Sequence, residues 1–170
     1  MISLTARRQI LDLIVRPALQ YIGLHSLAAE QQTMITAAHE SGGFEYIAQV
    51  RGPALSWWQI EPDSFQDLIA NTLPGLARSR PATYSAYLEL MRARVPCAGS
   101  ADQIVANPAL ACATCRLLYW RAPRALPAAF DWEAQADYWK TFYNTARGAG
   151  VRADYMAAAA ACSDLWRAAA

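Results

Sequence analysis

Glu40 closes an apolar helical stretch, Ile35-Thr36-Ala37-Ala38-His39, and is followed at once by Ser41-Gly42-Gly43. A carboxyl there is poorly solvated and sits at the negative end of a helix, and both effects favour the protonated acid. It is a candidate proton donor and, once ionised, a candidate base. On an arbitrary helix such a Glu is a solvated surface group. A downstream segment sets this one apart: Gly52-Pro53-Ala54-Leu55-Ser56-Trp57-Trp58-Gln59-Ile60-Glu61-Pro62 brings two indoles, an amide and a second carboxylate within reach. The indoles of Trp57 and Trp58 are expected beside Glu40, where flat apolar rings match the C–H faces of sugars, although burial preferences make about half of the Trp residues core. Gln59 is a candidate hydrogen-bonding group. Glu61 is a candidate second carboxylate, but an acid just before Pro62 is already explained as a favourable helix start. His39 points about 100° away from Glu40 on a helix and forms no dyad with it. Ser41 has no evident His base and fits better as a group that bonds the helix end or orients Glu40.

Taken together, Glu40-Ser41 and the later Ala54-Leu55-Ser56-x-x-Gln59-Ile60-x-Pro62 resemble the lysozyme-like lytic transglycosylases, soluble lytic transglycosylase and goose-type lysozyme relatives included. In that superfamily a Glu-Ser pair ends a helix and a Gly-Ala-Leu-Gly-x-x-Gln-Ile-x-Pro segment comes after it. Ser56 stands here where the pattern usually has Gly. Tyr143-Asn144, followed by Gly148 and Gly150, is similar to a late Tyr-Asn-x-Gly segment, with Thr145-Ala146-Arg147 displacing the small residues, and Leu117, Leu118 and Tyr119 fall where the central helix would. The resemblance covers residues 37–150 and is strongest to small phage-encoded members. It implies a single lysozyme-like helical domain with a substrate groove, and cleavage of the MurNAc–GlcNAc β-1,4 bond of peptidoglycan with Glu40 as acid then base. Ser41, Trp57, Trp58, Gln59, Tyr143 and Asn144 would line the substrate site. Goose-type relatives place an Asp where Glu61 stands, which keeps a water-using hydrolase open as an alternative. An inactive wall-binding or virion structural protein of the same fold is another. A helical interaction domain in which the motif is chance is a third.

The composition narrows these choices. A chain of 170 residues is long enough for one domain with a substantial core. Net charge is only +1, from 15 basic and 14 acidic residues, so nucleic acid is not an expected partner. Hydrophobic residues make up 55%, yet no apolar run is long enough to span a bilayer. Arg7-Arg8 before Ile10-Leu11 mimics a signal peptide, but Asp12, Arg16 and the lack of a small-residue cleavage site argue for an amphipathic helix. The expectation is synthesis in a host cytoplasm, with a holin or a virion delivering the protein to the wall. Cys97, Cys112, Cys115 and Cys162 read as free thiols in an apolar helical core, since Cys112-x-x-Cys115 lies in a helical pattern. His25 and His39 have no zinc-ligand spacing, and neither metal nor organic cofactor is expected.

The elements that must position these residues are almost all helices, because no long β-branched alternation occurs while helix starts and stops are frequent. One helix is expected over residues 5–24, bent or restarted at Pro17, and a second from Ser26 to a stop at Gly42. Glu61-Pro62 opens a third that should end before Pro74. Pro81 opens a fourth through Val95. Segments 100–106 and 107–120 form a broken pair capped at Asn107. Asp131 caps a helix carrying Trp132, Tyr138, Trp139 and Phe142, and the last helix covers residues 152–168.

Overall fold

A computed structural model describes residues 1–93, 101–144 and 150–167, and the described residues are all-α. Among the described residues ten α-helices succeed one another: α1 (Leu4–Ile10), α2 (Arg16–Tyr21), α3 (Leu27–Glu40), α4 (Pro62–Asp67), α5 (Leu73–Ser79), α6 (Pro81–Arg92), α7 (Gln103–Ala106), α8 (Pro108–Trp120), α9 (Trp132–Phe142) and α10 (Arg152–Cys162). Three of the expected caps form: the side chains of Ser26, Asn107 and Asp131 each accept the backbone N–H three residues on, and so satisfy a donor that the helix start leaves open. Val95, Cys97, Ser100, Gly148 and the last residues of the chain lie outside the described residues.

One proline does not do what its local sequence predicts. The third helix does not end before Pro74; it runs on through a π-helical turn, Leu68–Thr72, into α5. Pro17 is handled alike, by a π-helical turn over Leu11–Val15 between α1 and α2. In both cases the residue before the proline reaches back five positions, Arg16 N–H to Leu11 O and Leu73 N–H to Leu68 O. The wider turn makes room for a ring that would otherwise strike the carbonyl four residues earlier, so the helix continues.

α3 is the axis of the molecule. Every side chain from Ala29 to Ala38 is buried, and α2, α8, α9 and α10 pack around it. Two of its polar side chains are paired inside the protein. Gln32 Nε2 donates to Tyr155 OH at 2.8 Å and Gln135 O at 3.2 Å, while Thr36 Oγ1 meets Tyr119 OH at 2.7 Å. Around this lattice the apolar core gathers Leu11, Leu19, Ile35, Leu68, Leu110 and Leu117, each without solvent exposure. Cys112, Cys115 and Cys162 are free and buried in it, as small apolar side chains are.

Candidate functional site

The end of α3 is built to turn sharply. Gly42 and Gly43 have φ of 63° and 82°, and a Cβ on Gly43 would come within 2.6 Å of Met1 Cα, so only glycine fits beneath the N-terminus. Ser41 is fully buried; its hydroxyl donates to Ala37 O at 2.6 Å and accepts from Phe44 N–H at 2.8 Å. That is a capping role, and Ser41 does not line the cavity that Glu40 lines.

The chain then folds back as a compact loop held by antiparallel bridges, Ala48 with Leu55 and Leu55 with Ile60. Ser56 takes φ of 66° in this loop. That left-handed conformation favours glycine, which explains why Gly suits this position; here the Ser56 hydroxyl accepts Trp58 N–H at 3.3 Å. Trp58 turns inward. It has no exposure and donates its indole N–H to Thr33 O at 2.9 Å. Trp57 packs edge-on against Phe44, centroids 5.8 Å apart, and lines a separate small recess with Ile104 and Pro108. Neither indole is among the residues lining the cavity that Glu40 lines: Trp58 is core, where burial wins over display, and Trp57 stays half-buried beside its own recess.

Glu40 lines a cavity of about 590 Å³. Its walls come from the ends of α3 and α8, the loop before α4, and the segment around the end of α9. The expected residues Gln59, Glu61, Tyr143 and Asn144 all line it, and the exposed Glu61 and Arg121 leave it open to solvent. Gln59, itself at φ 46°, donates its side-chain amide to Ser56 O at 2.7 Å. The Tyr143 hydroxyl donates to Trp58 O at 2.7 Å, which ties the α9 end to the loop. Burial keeps this hydroxyl well above the usual tyrosine range, with the charges of Cys115 and Glu40 adding to it, so Tyr143 stays neutral.

The Glu40 carboxyl is pushed up to about 7 by burial, against the stabilising hydrogen bond from Trp139 Nε1 at 2.8 Å. Near neutral pH it therefore exists in both forms. It can give a proton, and the indole N–H then steadies the anion that remains. His39 lines the same cavity and stands edge-on to Trp139 at 4.4 Å between centroids. Burial lowers its pKa, against the pull of Asp154, so the imidazole is neutral where Glu40 titrates.

Trp139 is the site residue that the sequence places only on a helix. A local signal was present: it precedes Tyr143 by four positions, hence shares its face of the helix end. Among the described residues no group of three or more His, Cys, Asp or Glu is arranged to hold a metal ion, and no helix is long and apolar enough to cross a membrane. No protein-family model, curated protein or solved structure matches the chain.

Proposed function

We propose that the chain cleaves peptidoglycan as a lytic transglycosylase of lysozyme-like fold, the cavity serving as its glycan groove. The observation that carries this reading is Glu40, a carboxyl raised to about 7 by burial in a solvent-reached cavity and held by a single indole N–H. Glycosidic cleavage needs such a group, because the leaving oxygen must be protonated as the sugar gains oxocarbenium character. Glu40 donates its proton to the oxygen of the MurNAc–GlcNAc β-1,4 bond, and the C1–O bond breaks. As carboxylate it accepts the proton of the same sugar's 6-hydroxyl, whose oxygen closes on C1 to give a 1,6-anhydro end. No cofactor enters this scheme. The left-handed Ser56, at the place where the resembled pattern carries Gly, supports the assignment independently of Glu40.

A hydrolase is the second reading, favoured by one observation: Glu61 lines the same cavity as Glu40. In that scheme Glu61 helps hold water on the opposite face of the sugar. The biological setting we propose is a phage lysis or wall-entry enzyme made in the host cytoplasm and brought to the wall by a holin or a virion. Incubating the purified protein with peptidoglycan sacculi tests the enzymatic reading. Soluble muropeptides are expected; a protein that sediments with the sacculi and releases none is an inactive wall-binding domain.

A further inference from the structure

Lys140 comes directly after Trp139 on α9 and precedes Asn144 by four residues, so Lys140 and Asn144 share a face of the helix end. Its ammonium donates to Asn144 Oδ1 at 2.8 Å and to Gly150 O at 2.9 Å, drawing together two positions of the cavity wall. Gly150 is held so tightly that a Cβ would lie 2.6 Å from Asn144 Nδ2 and 2.7 Å from Trp139 Cη2. The same Trp139 indole donates to Glu40 at 2.8 Å. From the other side it is backed by Tyr155, stacked at 5.1 Å, and by the edge of His39. The backbone completes the arrangement, since Trp139 O accepts from both Tyr143 N–H at 2.9 Å and Asn144 N–H at 3.0 Å.

We propose that Lys140 is a positioning residue: by gripping Asn144 and Gly150 it seats Gly150 against the Trp139 indole, and thereby fixes the N–H that orients the Glu40 carboxyl. Lys140 touches no reacting atom in this scheme. It acts through Trp139, and the proposal rests on the reading of Glu40 as the acid. Among the described residues the titratable or charged groups around that acid include His39 on its own helix, Asp154 next to His39 on α10, Cys115 on α8, Tyr143 at the α9 end, and Glu61 and Arg121 across the cavity. Apart from the Lys140 ammonium, which Gly150→Ala leaves in place, none of these is altered by changes at Lys140 or Gly150.

The test compares Lys140→Met, Lys140→Arg and Gly150→Ala with Trp139→Phe, reading the Glu40 carboxyl by carbon-13 NMR titration and muropeptide release in parallel. Loosening the indole removes a donor to the anion, so Lys140→Met and Gly150→Ala should both move the Glu40 titration upward, in the direction of Trp139→Phe. Lys140→Arg should restore it. The kcat for muropeptide release should fall roughly tenfold or more in the two disruptive variants, with KM moving less, as misplacement of a reacting group does. A merely structural lysine would lower the melting temperature and leave the titration of the folded protein where it was; that result in either disruptive variant overturns the proposal. If the titration moves as expected while the wild-type protein releases no muropeptides, the latch stands and the reaction assigned to the site fails.

Discussion

α3 carries a glutamate near each end, Glu30 buried and Glu40 half-buried at a cavity wall, and the two have opposite fates. Glu30, on the first turn, is 2% exposed and is met by Arg16 through two hydrogen bonds at 2.7 and 3.0 Å, by His25 Nε2 at 3.1 Å and by Trp166 Nε1 at 2.7 Å. Burial alone would raise its pKa, but the bonds from Arg16, His25 and Trp166 outweigh it and hold the carboxyl below its ordinary value. Glu40, on the last turn, keeps one hydrogen bond among the described residues and rises to about 7. The two differ in the donors they meet: a cation and two further donors turn a buried carboxyl into a structural clamp, whereas a neutral indole N–H leaves Glu40 free to exchange its proton near neutral pH.

Conversion of each glutamate to its amide sharpens this contrast most strongly. Glu40→Gln should cut muropeptide release by about 10²–10⁴-fold, the usual worth of a positioned acid. Its stability should move the other way. Between the ordinary value of 4.5 and about 7 the folded protein binds more protons than the unfolded chain, so wild-type stability falls with rising pH across that window. The variant lacks this loss and should be as stable as wild type at pH 8, or more so by up to roughly 3 kcal/mol. A lower melting temperature for the variant at pH 8 would contradict the account of Glu40's setting.

Glu30→Gln should do the reverse. A carboxyl held below its ordinary value contributes stability that is present above the unfolded pKa and lost as pH falls through the folded one. Arg16 is about a third exposed, which moderates the cost of breaking the pair to about 2 kcal/mol, or roughly 4–8 °C in melting temperature for a chain of this size. The gap between wild type and variant should close in acid, where wild type loses the same contribution. Melting curves at pH 7 and pH 3 check both parts; an equal gap at the two pH values would remove the clamp from the comparison.

Trp139→Phe makes the end of α3 emptier still. Loss of the indole N–H should raise Glu40 further, so the alkaline limb of the activity profile moves to higher pH; a limb that stays or moves down would show that the indole does not stabilise the anion. The smallest effect is expected for Glu61→Gln, which should keep appreciable activity, because the transglycosylase scheme asks nothing of a second carboxylate. Activity as low as that of Glu40→Gln would favour the hydrolase.

Much of the scaffold was legible because it is written locally: Ser26, Asn107 and Asp131 cap the helices they precede. Pro74 misled because a stop signal is also local, while the π-helical turn that absorbs it depends on how the surrounding helices pack. At the cavity, Glu40, Gln59, Glu61, Tyr143 and Asn144 come together. Trp58 does not, since the same indole serves a core or a sugar and only its surroundings decide which. Trp139 and Lys140 escaped notice for a different reason. Their partners lie at Glu40, 99 residues earlier, and at Gly150, beyond the helix end, so along the helix only the four-residue offset of Trp139 from Tyr143 hinted at either.

The most direct test of the central claim is mass spectrometry of the fragments released from purified sacculi by the wild-type protein and by Glu40→Gln. Muropeptides ending in 1,6-anhydro-MurNAc are expected from the wild type and almost none from the variant. Equal release by the two proteins would contradict the role of Glu40, and reducing ends in place of anhydro ends would contradict the transglycosylase mechanism.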